Sequence, residues 1–528
     1  MTRARLLPCS VRKEFRALAT PWLACFAMLV AAAAFGGGPA LGLAVPAYFV
    51  GAVALGALSV GHEYSHRTMG LLLSLPVRRE RLFLEKLGVL AALLLTLYAA
   101  AAVMMGDTAR LHDAGGRATE RAAMLVLPVL CGLFVAPWLT MLCRGPVAGT
   151  VFSIAVPGLL LVLGEAAGVL VYGSRSAAAD FRLIVLWIGM LAACGIGGVS
   201  SWRLFRHLEA VDDRGEDVRL PEWLRRPIPA AAVAPRATRH PVWLLVAKEL
   251  RLQQMPLVLG ALYLLAWVGV SSVRHLFPPV TDIFNVLTVF YCGLIALLIG
   301  CLAFAEERQI GTLQWQLLLP MATWKQWSLK VGVALGLALV LGLGVPALVA
   351  GGMQLLPAGL RHEPIGRYML ALPAVVLTVT GLYVSSLCSS GLRALLMSIP
   401  AVLGTTVFVG MLERPLTKAA FALVSYVPAS MIPRREIELP VFIPQLSLVL
   451  IPQLSLLFVG GLLALLLRFG YVNYRSTDRV RSRTMKQVMG LACGVAIALM
   501  VVSAVMALGV RSYHRPAERG QAPGLAPR

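Results

Sequence analysis

The chain has 528 residues, of which 59% are hydrophobic and only 14% are charged, and its mean hydropathy is +0.80. A soluble chain of this size carries about 25% charged residues, so the composition excludes an ordinary soluble globular protein. The charges fall in short clusters between apolar runs of about 17–25 residues, the length that crosses a bilayer as a helix. A transmembrane barrel would instead alternate over segments of about ten residues. The sequence therefore predicts an all-α integral membrane protein.

The apolar runs predict thirteen spans, in two sets of six and one further span. The first six lie near residues 21–35, 41–61, 87–105, 122–143, 149–172 and 182–203. The others lie near residues 257–273, 282–304, 331–350, 368–389, 392–412, 443–468 and 487–510. We expect four regions: a first transmembrane unit (1–203), a cytoplasmic linker (204–241), a second transmembrane unit (242–470), and a basic loop with an extra span and tail (471–528).

The net charge of +22 is explained by basic residues in the inner loops of a membrane protein rather than by binding of nucleic acid. If the amino terminus is cytoplasmic, about two thirds of the 47 Lys and Arg residues fall in inner loops, as the positive-inside rule requires. Inner basic residues also contact anionic lipid of the bilayer. No basic stretch is interleaved with aromatic residues, so we expect no nucleic acid partner. The nine cysteines have no metal-ligand spacing, so we expect no metal site among them.

The two sets of six spans share an ordered series of landmarks. The segment Val11–Arg16 (VRKEFR) matches Val246–Arg251 (VAKELR). Further matches lie 244 residues apart, pairing Glu63, Thr68, Pro76 and Lys86 with Glu307, Thr312, Pro320 and Lys330. Six spans return the chain to its starting side, so both copies have the same orientation. The repeat is therefore parallel and predicts a pseudo-two-fold axis along the membrane normal.

Each copy has the same inner loop after its second span, at residues 61–86 and 305–330. The shared pattern is an acidic residue, a threonine five positions later, an apolar turn, a proline and a closing lysine. The apolar positions of the first loop (Leu71, Leu72, Leu73 and Leu75) suit a short helix along the inner membrane surface, which the proline would end. Such a helix could simply lie at the interface. Two equivalent loops favour docking of a cytosolic partner instead.

This ordered set, found twice over roughly residues 10–470, resembles the ABC type-2 permeases, the membrane subunits of ABC exporters. The resemblance implies connecting helices near residues 10–20 and 244–255, carrying Lys13, Glu14, Arg16, Lys248, Glu249 and Arg251. It also implies coupling helices in the two inner loops, with partner-docking residues Glu63, Arg67, Thr68, Pro76, Arg78, Lys86, Glu307, Gly311, Thr312, Pro320 and Lys330. Because Arg67 stands where the second loop and the family have glycine, we expect the first loop to dock less typically.

No G-x-x-x-x-G-K-[ST] loop is present, so we expect the chain to bind no cofactor and to be no enzyme itself. The resemblance implies that ATP binds instead to two copies of a cytosolic ABC ATPase subunit. It further implies export of an unidentified substrate, in a bacterial cytoplasmic (inner) membrane, by rocking of the two halves against each other.

Residues 62–66 (His62-Glu63-Tyr64-Ser65-His66) form the HExxH pattern of zinc proteases, with two histidines one helical turn apart. The second copy has Glu306 and Ile310 at the histidine positions, and only the acidic residue is shared. A membrane-embedded zinc metalloprotease remains an alternative hypothesis, as does a non-transporting membrane scaffold.

Glu165 is the clearest acidic residue inside an apolar run, near the outer third of the fifth span. Acids at such depth are often functional. We weigh two interpretations: the carboxylate snorkels or pairs with Arg175 or Arg182, or it makes a polar contact on an export pathway.

Overall fold

The computed structural model describes residues 6–35, 38–65, 68–74, 76–111, 118–172, 175–207, 241–274, 281–312, 316, 318, 320–354, 367–406, 439–475, 486, 487, 489, 490 and 500. Throughout this part of the chain the regular structure is helical, without a strand. The all-α class predicted from composition is therefore confirmed. Most of the linker predicted at 204–241, most of the thirteenth span predicted at 487–510, and the tail lie outside the described residues.

The first half contains eight helices in the described ranges. They are α1 (Leu6–Phe35), α2 (Gly38–Ser65), α3 (Met69–Leu73), α4 (Arg79–Leu111), α5 (Ala118–Leu130), α6 (Ala136–Cys143), α7 (Pro146–Tyr172) and α8 (Arg175–His207). A π-helical turn, Cys131–Val135, joins α5 to α6. It follows Pro128, whose missing N–H already interrupts the hydrogen bonding of α5.

The second half repeats much of this order. Its helices are α9 (Pro241–Leu252), α10 (Gln254–Arg274), α11 (Thr281–Ile310), α12 (Thr323–Leu339), α13 (Val345–Gln354), α14 (Arg367–Leu387), α15 (Gly391–Thr406) and α16 (Leu439–Arg475). A π-helical turn, Val340–Gly344, joins α12 to α13. The connecting segment and first span form one helix, α1, in the first half. In the second half a turn at Gln253 separates them into α9 and α10.

Nine segments among the described residues are long and apolar enough to cross a membrane, and α10 and α15 contribute two shorter apolar stretches, Gln254–Val268 and Gly391–Thr406. The nine segments confirm an integral multi-pass membrane protein. The count of thirteen spans and the division into two six-span units stay predictions. The chain forms two compact units, Met1–Ala401 and Val402–Arg528. The second contains α16, where the side-chain amides of Asn473 and Gln487 bond each other in both directions at 2.7 and 3.1 Å.

The second spans of the two halves, α2 and α11, are the most buried of the nine, with 78% and 67% of their apolar windows buried. Each makes a close backbone contact at a matched glycine. A Cβ atom on Gly56 would lie 1.9 Å from the carbonyl oxygen of Gly132, and one on Gly300 would lie 2.4 Å from that of Thr378. Close approach through small residues is a common way for helices to pack in membranes. Both halves therefore centre on their second span.

Candidate functional site: two buried charged clusters

The first cluster consists of Lys13, Glu14, His62, Glu63 and Lys86, which meet where α1, the end of α2 and the start of α4 converge. The Lys86 ammonium lies 2.6 Å from Glu14 Oε1 and 3.3 Å from Glu63 Oε1, and it also reaches the backbone carbonyl of Ser59 at 3.4 Å. Lys13 approaches Glu63 Oε1 at 2.8 Å from the exposed side. The first cluster therefore ties three helices together through two buried carboxylates.

The second cluster consists of Lys248, Glu249, Glu307, Gln316 and Lys330, from α9, α11, the second inner loop and α12. The Lys330 ammonium lies 2.8 and 2.9 Å from the two Glu249 oxygens and 2.8 Å from Glu307 Oε2. Lys248 bonds Glu307 Oε1 at 2.6 Å and the Gln316 side-chain oxygen at 3.1 Å.

The two clusters are the same arrangement built twice. In each, the connecting segment supplies a half-exposed lysine and a buried glutamate, the second span supplies a fully buried glutamate, and the third span supplies a buried lysine. The third-span lysine also donates to the carbonyl four residues before that glutamate, at Ser59 or at Ala303. The positions matched in sequence thus make matching contacts in space, which supports the internal repeat independently of the sequence pattern.

The charges of each cluster nearly cancel. Two lysines balance two glutamates in both clusters, and His62 is the one further titratable group of the first cluster. Burial raises the pKa of the Glu249 carboxyl above its usual range, and the Lys330 ammonium opposes that rise. Removing charges from water is costly, and only close opposite charges and hydrogen bonds offset the cost. The buried lysines Lys86 and Lys330, each in contact with both glutamates of its cluster, therefore offset much of the cost of burying those carboxylates.

Each inner loop is tied to the glutamate that ends the second span. In the first loop Thr68 donates its hydroxyl to Glu63 Oε2 and its backbone N–H to the Glu63 carbonyl at 3.0 Å. In the second loop Gly311 donates its N–H to the Glu307 carbonyl at 2.9 Å, and Thr312 donates its hydroxyl to the same carbonyl at 3.5 Å. Gly311 has a φ of 81°, the left-handed conformation in which glycine ends helices. Hydrogen bonds to Glu63 or Glu307 therefore hold the start of each inner loop against the end of the second span.

The first inner loop forms the short helix expected from its leucines, α3. Met69 and Leu72 are buried against Phe83 and Phe205, whereas Leu71 is 70% exposed. In the second loop, residues 313–315 lie outside the described part, and Leu318 is 76% exposed. Each inner loop therefore has an exposed leucine side chain.

The remaining predicted docking residues do not join the clusters. Arg16, Arg251, Pro76, Pro320 and Arg78 are exposed. The Arg78 carbonyl accepts the N–H groups of residues 81 and 82 and so begins α4, as the Ala322 carbonyl accepts those of residues 325 and 326 and begins α12. Arg67 lies outside the described residues. The docking role of the whole set stays a prediction.

The zinc-protease alternative depends on His62, Glu63 and His66, of which His66 lies outside the described residues. His62 Nδ1 lies 2.9 Å from the Leu58 carbonyl, which can only accept, so Nδ1 carries a proton. Its Nε2 faces Glu63 Oε1 at 3.2 Å and Glu14 Oε2 at 3.8 Å. These three groups could in principle hold a metal ion.

The lysines weigh against that metal ion. Lys86 already contacts both carboxylates, and Lys13 contacts Glu63. A divalent cation among them would meet two ammonium groups in a poorly solvated space, where like charges repel strongly. Glu63 is also engaged by Thr68, so the carboxylate is not placed to activate water.

Glu165 lies within α7, but its side chain is outside the part that the structure describes. Arg182, one of the two pairing candidates, lies 3.8 Å from Glu120 Oε1. Neither interpretation of Glu165 is decided by this contact.

Sequence reasoning found both lysines and both glutamates of each cluster but missed three contributors. The Ser59 and Ala303 carbonyls are backbone groups and leave no residue-type signal, although their spacing of 244 residues matches the repeat. Gln316 stands in a loop whose first copy has Leu72 at that position. Searches against protein-family models, curated proteins and solved structures find no match to the chain.

Proposed function

We propose that this chain is the permease subunit of an ATP-driven ABC exporter, and that two separate cytosolic ATPase subunits dock on its two inner loops. The observation that carries the proposal is the duplicated charged cluster. In each half it fixes the start of the inner loop to the connecting segment and to the third span. A force applied to either loop would therefore move three helices of that half together.

Two features of the loop surfaces support a protein partner. Leu71 and Leu318 are largely exposed, and Trp324, at the start of α12, is 57% exposed. Large apolar side chains at the end of the bundle where the basic loops lie suit contact with a protein more than contact with water. Because equivalent loops occur twice in one chain, we expect one permease chain for every two ATPase subunits.

The test is purification of the tagged chain from its native membrane in mild detergent, followed by native mass spectrometry and an assay of ATP hydrolysis. We expect one copy of this chain with two copies of a protein that contains a P-loop. Two permease chains in one assembly would contradict the pseudo-dimer, and an assembly without ATP hydrolysis would favour a scaffold.

Matched variants locate the interface. Leu71→Asp and Leu318→Asp should each weaken ATPase binding, because each places a charge on an apolar docking surface. Tyr172→Asp is the control, since Tyr172 is also exposed but ends α7 at the other end of the bundle. Equal loss of the ATPase in all three variants would indicate general destabilisation and remove the support for docking at the loops.

A further inference from the structure

An apolar cavity of about 450 Å³ lies among helices of the first half, beside α11 of the second half. Pro46 and Phe49 of α2, Leu127 of α5, Pro157 of α7 and Phe290 of α11 line its walls. The volume falls within the range of small-molecule sites, which are mostly apolar with a few placed polar groups. The charged clusters are not part of its lining.

The lining includes one oppositely charged pair, Glu120 near the start of α5 and Arg182 near the start of α8. Arg182 Nη2 lies 3.8 Å from Glu120 Oε1, and the side chains are 25% and 37% exposed, respectively. Along α5 the lining continues from Glu120 to Pro128, eight residues or about 12 Å of helix. The cavity is therefore amphipathic, with the charged pair at one end and apolar side chains along the rest of its wall.

The charged end lies away from the two clusters. Helix α4 carries Lys86 near its start, and α5 begins after α4 has run its length. Glu120 consequently lies at the opposite end of the bundle from Lys86. A ligand in this cavity would place its polar end there and its apolar end toward the middle of the spans.

We propose that this cavity binds a phospholipid whose head group carries both a phosphate and an ammonium, with part of one of its two acyl chains along α5 and α7. The phosphate would lie at Arg182 and the ammonium at Glu120. A purely anionic head group would be attracted by Arg182 but repelled by Glu120, and a purely cationic one would meet the reverse. A head group with both charges satisfies both side chains.

The binding site does not depend on the exporter proposal, but naming such a lipid as the exported substrate does. Binding is therefore measured on the purified chain without ATPase or nucleotide. Native mass spectrometry would compare retention of dioleoylphosphatidylethanolamine, dioleoylphosphatidylglycerol and dioleoylglycerol. We expect the first to be retained at least about threefold better than either of the others, a difference of at least about 0.6 kcal/mol.

Gly158 provides a cavity-filling variant. It lines the cavity, and a Cβ atom added there meets nothing within 4 Å. Gly158→Leu should fold normally and lower phosphatidylethanolamine retention about tenfold, as expected when a bound chain is overpacked. Gly195→Leu on α8 is the matched control, because Gly195 is exposed, also has open space at Cβ, and is not part of the cavity lining.

Changes at the charged end should shift lipid preference with opposite signs. Glu120→Gln removes the repulsion and should raise phosphatidylglycerol retention, whereas Arg182→Gln should lower retention of both phosphate-bearing lipids. The proposal is overturned if Gly158→Leu retains lipid like the wild type, or if all three lipids bind equally. Lipid retention as expected without ATP-dependent lipid movement in the reconstituted complex would leave the site in place and reject this lipid as the exported substrate.

Discussion

Replacement of Lys330 by methionine tests whether the charged cluster is a structural unit. Lys330 is 1% exposed and contacts Glu249, Glu307 and the Ala303 carbonyl at 2.8–3.2 Å. Methionine keeps most of the length of the unbranched side chain but removes the charge and the donors. Lys248 still pairs with Glu307, so Glu249 becomes the uncompensated buried carboxylate. Loss of one partner from a buried ion pair costs about 3–5 kcal/mol.

The assay is reversible chemical denaturation in detergent, carried through a double-mutant cycle with Glu249→Gln. We expect Lys330→Met to lower the free energy of unfolding by about 3–5 kcal/mol. The double variant should lose less than the sum of the single variants, by at least about 1 kcal/mol, because both changes remove the same interaction. Lys325→Met, the same substitution on the exposed face of α12, is the control. A loss equal to that of the control, or strict additivity, would refute the interpretation of the second cluster as a structural unit.

Three further predictions concern function and topology. Glu63→Gln and Glu307→Gln should each reduce stimulation of the ATPase by the permease to a similar degree, and the double variant should reduce it most. His62→Ala should stay near wild type. A large effect of His62→Ala alone would contradict equivalent roles for Glu63 and Glu307. Elemental analysis of purified protein should find no stoichiometric zinc, whereas one zinc per chain, lost in His62→Ala, would overturn the permease interpretation. A membrane-impermeant thiol reagent should label Gly520→Cys from outside but not Ala230→Cys, and the reverse result would invert the predicted topology.

The sequence predicted the helical class and the pairs of matched residues because both depend on signals of residue type and spacing. Continuous apolar runs of about 20 residues cross a bilayer as helices, because a helix satisfies its backbone hydrogen bonds within its own segment. Charged residues repeated at one fixed spacing, such as Glu63 and Glu307, are conspicuous in so apolar a chain. Their mutual contacts were not predictable, because contact depends on how helices that are distant in sequence pack together.

The helix breaks and the cavity could not be predicted from the sequence either. Pro21 and Pro256 occupy matched positions, yet α1 continues through Pro21, whereas the second half turns at Gln253. The buried Gln253 amide donates to the Ile299 carbonyl at 3.2 Å, a long-range contact that holds this turn. The cavity beside Gly158 likewise depends on five helices, of which α11 belongs to the other half of the repeat. Periodicity within one segment contains no information about such contacts.

The placement of the clusters bears on how the proposed exporter would work. Every ion pair named in the first cluster joins residues of the first half, and every one in the second cluster joins residues of the second half. Breaking such a buried pair would cost several kcal/mol, so the helices joined by a cluster are not expected to slide past one another. Movement is therefore expected between the halves, and the helices that each cluster joins should move together as one rigid body. A disulfide between α1 and α4 beside the first cluster should leave transport intact, because these helices belong to the same half. A disulfide between α7 and α10, which contact each other across the two halves, should block transport. Inhibition by the first disulfide alone would refute this rigid-body movement.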